Sequence, residues 1–119
     1  VKINQDTINI QGVEIPVIFT FTAFPLIEEA YGKSYGLFEK ELNGMLQDGK
    51  VILGKKEVKM MNALIYAMVK SGGTDCTPYE IETSIPPSDL PAIFRTVLGI
   101  FNNQNFQHAD MEKLKTEKK

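Results

Sequence analysis

Residues 16–38 read PVIFTFTAFPLIEEAYGKSYGLF, and this stretch decides the fold. Ile15, Val17, Phe19 and Phe21 alternate with Pro16, Ile18 and Thr20, which is the two-residue period of a strand. The period then changes. Phe24, Ile27 and Tyr31 stand at i, i+3 and i+7, with Leu26 and Ala30 beside them, which is one apolar stripe of a helix. Thr22 is the expected N-cap, and Pro25 falls in the first turn, where a missing N–H does no harm. Gly32 is the expected stop. Ser34 then opens a second helix, whose stripe is Tyr35, Phe38 and Leu42.

Upstream, Ile8 and Ile10 alternate with polar residues, and Gln11-Gly12 marks a turn. Residues 7–21 therefore read as a hairpin, with residues 1–3 as a further short strand. Pro16 cannot donate to a ladder, which places its strand at an edge, with Ile18 and Thr20 on the face away from Val17.

Downstream, residues 51–54 are an apolar connector, and residues 55–71 form the strongest helix. From Met60 to Val69 only Asn62 is plainly polar. Such a helix is central in the fold or buries one side against a partner. Met61 and Met68 share a stripe with Val58 and Ile65 and are expected in the core. Met60 falls on the other side with Ala63 and Ala67, which is the expected face for another chain. Gly72-Gly73 ends this helix. Thr77-Pro78-Tyr79-Glu80 is a capping box with Pro at the first helical position, and Pro86-Pro87 ends that short helix. Leu90, Ile93, Phe94, Val97, Leu98 and Phe101 are the stripe of the last helix, which is expected to fray over residues 102–105. The fold class is thus α+β and mainly α: an N-terminal β-hairpin, then about five helices. Residues 1–106 are expected as one globular domain, and residues 107–119 as a polar, disordered tail.

Composition fits a soluble domain of 119 residues, large enough to bury roughly two-thirds of its unfolded surface. The formal net charge of −2 draws the whole molecule to neither nucleic acid nor an anionic membrane. There is no apolar run of the ~20 residues that a bilayer span needs. Cys76 is the only cysteine and reads as a small buried hydrophobe in a reducing compartment. His108 is the only histidine, so neither a zinc site nor a Cys–His pair is expected. Glu28-Glu29 are adjacent on a helix, diverge by about 100° and read as a solvated face. No phosphate loop is present, and the expectation is a non-enzyme with no cofactor and no metal. Residues 77–101 imitate helix–turn–helix rhythm, but the second helix offers Ser88, Asp89 and Leu90 to the bases, with Arg95 its only cation. That argues against a DNA-binding regulator.

What remains is an ordered set of residues. A short hairpin is followed by Phe19-x-Phe21-x-Ala23-Phe24, Leu26-Ile27-Glu28-Glu29, Tyr31-Gly32-Lys33-Ser34 and Gly36. Asn62-Ala63-Leu64-Ile65-Tyr66-Ala67 and the capping box of residues 77–82 complete it. Over about residues 8–101 this resembles the tail assembly chaperones of long-tailed phages and prophages, particularly those of Gram-positive hosts. The resemblance implies a protein of the bacterial host cytoplasm that has no catalytic activity and is absent from the finished virion. Its partners would be the tape measure protein, which it coats, and the tail tube protein, which it helps recruit. Such proteins are often made in two lengths by a ribosomal frameshift. This chain would be the shorter form, with Lys118-Lys119 compatible with a slippery codon pair. The alternative reading is a structural tail or adaptor component retained in the particle. The candidate protein-interaction residues are Pro16, Ile18 and Thr20 at the strand edge and Met60, Ala63 and Ala67 on the long helix. Homo-oligomerisation is expected through one of these two faces.

Overall fold

In the computed structural model, residues 6–47 and 53–117 are described, residues 104–117 as backbone alone. Strands β1 (Asp6–Ile10) and β2 (Val13–Val17) pair antiparallel. The two-residue turn between them has Gln11 at φ 51° and Gly12 at φ 85°, the left-handed pair that twists with the flanking strands. The Asn9 side chain fixes the turn by accepting the Gly12 N–H at 2.8 Å. Five helices follow: α1 (Ala23–Tyr31), α2 (Tyr35–Gln47), α3 (Lys55–Ser71), α4 (Pro78–Ser84) and α5 (Leu90–Glu117). The expected class, a hairpin followed by five helices and mainly helical, is the class observed. The strand expected over residues 1–3 and residues 51–52 of the connector lie outside the described residues.

Helix α3 occupies the centre. Met60, Met61 and every residue from Ala63 to Val69 are buried. Its most extensive partner is α1, and β2, α2, α4 and α5 also pack on it. Around it lies one contiguous core containing Ile8, Ile10 and Val17 of the hairpin, Ile27 and Tyr31 of α1, Phe38 and Leu42 of α2, and Val97 and Phe101 of α5. The aromatic residues of the deciding stretch join the hairpin exit to the helices. Phe24 stacks on Tyr35 with ring centroids 3.8 Å apart, and Phe19 meets Phe101 edge-on at 4.7 Å. Such pairs contribute about 0.5–1.5 kcal/mol each beyond the area they bury.

Two local expectations meet a different structure at the hairpin exit. The second strand stops at Val17, because the Ile18 N–H turns to the Met68 carbonyl of α3 at 3.2 Å. Phe19 still reaches the core, but Phe21 is 67% exposed. Thr22 makes no side-chain cap. Its hydroxyl pairs with Thr20 at 2.6 Å and reaches Ser71 at 3.5 Å, tying the α1 entrance to the α3 exit. Elsewhere the punctuation is as read. Gly32 caps α1 at φ 82°, and its N–H bonds to the Glu28 carbonyl. Thr77 and Glu80 exchange both capping-box bonds, at 3.0 and 3.1 Å.

Helix α5 continues through residues 102–105, where fraying was expected, and its span runs to Glu117. Asn and Gln cost only tenths of a kcal/mol each in a helix, and residues 103–117 hold neither Gly nor Pro to stop it.

Candidate functional site

The six residues singled out for docking divide into two groups. Met60, Ala63 and Ala67 are at most 1% exposed. They do not form an outer face, and the expectation of a partner there is corrected. The long helix is enclosed by α1, α2, α4, α5 and β2, so its second apolar side is covered from within this chain. Short alanines on α3 leave room for a neighbouring helix to approach closely. The strand-edge residues are also partly covered. Pro16 and Ile18 are half-buried and Thr20 is exposed. The Pro16 backbone abuts Gly72 at the end of α3, and the Ile18 N–H is spent on Met68. The edge beside Pro16 is therefore closed by the last turn of α3.

The Glu28-Glu29 pair is also more than a solvated face. Glu28 accepts the Tyr35 N–H at 2.8 Å and so satisfies the start of α2. Glu29 accepts the Tyr66 hydroxyl at 2.8 Å, the polar tip of a side chain otherwise fully buried. Two carboxylates thus hold α1 to α2 and to α3.

Two concavities carry the candidate interaction chemistry. The first is an apolar groove of about 310 Å³ where α2, α3 and α5 meet. Leu46, Leu53, Met61, Phe94 and Leu98 line it, with Arg95 and Pro91. Leu53 is 51% exposed at its border. Met61 was expected in the core and is buried there, and it also borders the floor of the groove. Arg95, considered above as a base reader, adds a cation to this apolar lining.

The second is a basic recess of about 300 Å³ lined by Tyr31, Lys33, Lys55, Lys56 and Lys59. Glu41 sits against it. Its carboxylate takes Lys56 at 2.6 Å, the Tyr31 hydroxyl at 2.8 Å and Lys33 at 3.3 Å. These hydrogen bonds, with Lys56 first, hold the carboxyl down at about 2 from an ordinary 4.5. Tyr31 moves the opposite way, to about 12, through burial and then through its bond to Glu41. The Lys33 and Lys59 ammoniums lie 5.5 and 5.9 Å from the centre of the Tyr31 ring, within cation–π range.

A pH dependence follows. Between pH 4.5 and 2 the unfolded chain takes up a proton that folded Glu41 refuses. The stabilisation from this carboxylate is complete above pH 4.5 and declines as pH falls toward 2. Urea midpoints measured from about pH 5 to about pH 2 should fall less steeply in Glu41→Gln than in the parent chain. Parallel curves would mean that Lys56 and Tyr31 do not hold the carboxylate in solution.

Among the described residues no three His, Cys, Asp or Glu side chains gather as a metal site, and no helix is long and apolar enough to cross a membrane. Cys76 is buried, and burial pushes its thiol up, away from the reactive thiolate. Sequence spacing could have flagged Lys55, Lys56 and Lys59, at i, i+1 and i+4, as one basic face of the first turn of α3. The groove draws on three elements far apart in the chain and has no such signal. No family model, curated protein or solved structure matches this chain.

Proposed function

We propose that this protein is a phage tail assembly chaperone. It holds apolar helical segments of the tape measure protein in the bacterial cytoplasm and helps to bring tail tube subunits to them. The resemblance of residues 8–101 to that family suggests the client. The observation that carries the reading is the groove of Leu46, Leu53, Met61, Phe94 and Leu98. At about 310 Å³ it admits large apolar side chains of an amphipathic helix. Arg95 in the lining offers a partner for a carboxylate on the client's polar side.

Co-expression tests this reading. A tape measure fragment that precipitates alone should stay soluble with this chain. Leu53→Asp leaves the core intact, because Leu53 is already half in water. It removes roughly half of a leucine's transfer energy from the bound state and sets a carboxylate against apolar surface, so binding should weaken about tenfold. Equal precipitation of the fragment with and without the chain would sink the proposal.

A further inference from the structure

The basic recess at the start of α3 lies on a different side of that helix from the groove. Lys59 and Met61 are two residues apart on one helix, so their side chains diverge by about 200°. Four lysines line the recess with Tyr31, and the Lys33 and Lys59 ammoniums lie over its ring. Two carboxylates belong to the same cluster. One is Glu41, and the other is Glu57, whose charge also acts on Tyr31. Four positive and two negative charges leave the cluster at +2, in a chain whose formal net charge is −2.

Those charges are unevenly matched. Glu41 satisfies Lys33 and Lys56. Among the described residues no carboxylate lies within ion-pair distance of Lys55 or Lys59. The occupied half shows what this chemistry holds: a side-chain carboxylate between two lysines and the Tyr31 hydroxyl. The open half offers two more lysines of the same lining, Lys59 beside the ring and Lys55 one turn earlier. Lys55 and Lys59 stand at i and i+4, about 5–6 Å apart at Cβ, which matches carboxylates one turn apart on a partner helix.

Phosphate fits less well. The α3 N-terminus would be its natural seat, but the Glu57 carboxylate already accepts the Gly54 N–H there at 3.1 Å. The recess has no arginine fork for bidentate phosphate binding. Four lysines in one compact cluster, interrupted by Glu41 and Glu57, make no track for a run of backbone phosphates.

We propose that the recess formed by Tyr31, Lys33, Lys55, Lys56 and Lys59 docks an acidic helical segment of a protein partner. Two carboxylates one turn apart on that segment engage Lys55 and Lys59. This assignment stands apart from the groove and does not depend on what the groove holds.

Fluorescence anisotropy at low ionic strength tests it with the full chain. The probe is a labelled helical peptide carrying Glu pairs at i, i+4, and its Gln counterpart is the control. The Glu peptide should bind, and added salt should weaken it steadily. The double variant Lys55→Gln/Lys59→Gln should bind about tenfold more weakly and stay folded, with at most a small drop in unfolding midpoint, since both side chains are exposed. Lys40→Glu, exposed on α2 outside the recess lining, should bind as the parent does. No binding of the Glu peptide overturns the proposal. So does equal weakening by Lys40→Glu, which would mean diffuse charge attraction. Tighter binding of a single-stranded oligonucleotide, or displacement of the peptide by an equal concentration of inorganic phosphate, overturns it in favour of a phosphate site.

Discussion

Met60→Lys should lower the stability of the domain by more than about 3 kcal/mol. The side chain is 1% exposed and belongs to the contiguous core around α3. Two costs add. The methionine's own burial is lost, about 1.5–3 kcal/mol, and an ammonium without a buried carboxylate partner enters apolar surroundings. The lysine stem could carry its charge toward the surface, but Lys56 lies one turn earlier and Lys59 is adjacent, so the carboxylate of Glu57 would be shared with like charges. Domains of this size hold only about 5–15 kcal/mol in total, so the substitution should leave much of the population unfolded. Met60→Leu keeps the volume and apolar character and should cost less than about 1.5 kcal/mol. Chemical denaturation of the two variants decides between them. A Met60→Lys chain that keeps the parent midpoint and loses only an intermolecular contact would overturn the assignment of Met60 to the core.

That prediction marks a boundary of what the sequence could show. An α3 apolar on nearly all sides means either a central helix or a docking helix, and one sequence fits both. Only the surrounding elements decide, and here α1, α2, α4, α5 and β2 close over it. Signals that depend on immediate neighbours were legible. The Gln11-Gly12 turn, the Gly32 stop and the Thr77–Glu80 capping box each need residues no more than three positions apart, and each is in place. Signals that depend on distant partners were not. Phe21 continues the strand alternation in the sequence, yet β2 ends early because a carbonyl some 50 residues later takes the Ile18 N–H. Glu29 looks solvated until α3 brings the Tyr66 hydroxyl to it. The groove combines residues of α2, α3 and α5, and the recess joins residues 31–33 to the start of α3, a meeting that no linear spacing encodes.

Gly72→Val should detach the hairpin from the helical body. A Cβ at this position would stand 2.8 Å from the Pro16 carbonyl carbon and 3.1 Å from the Val17 Cα. Both are backbone atoms, so no rotamer change relieves the clash, and either β2 or the last turn of α3 must move. Gly72 has φ −74°, which any residue adopts, so the effect is steric rather than conformational. The Met68 carbonyl lies at the same junction and accepts the N–H groups of both Ile18, at 3.2 Å, and Gly72, at 3.0 Å. Displacing the strand breaks the first of these bonds as well as the packing. Two opposing terms set the sign. Replacing glycine stiffens the unfolded chain, worth about 0.4–1 kcal/mol of stability, whereas overpacking costs about 1–3 kcal/mol or more. Alanine should therefore be destabilising by about 1 kcal/mol, and the bulkier, β-branched valine by clearly more. Hydrogen exchange should show lost protection first at the hairpin amides and at Ile18, with α3 protected until global unfolding. Gly73→Ala is the control. It pays for φ +114° but meets no atom within 4 Å, so it should destabilise without selective loss at the hairpin. If Gly72→Ala raises the midpoint, β2 does not rest on α3 in solution. The Pro16 edge would then be open after all, and an incoming strand could reach it without first displacing the end of α3.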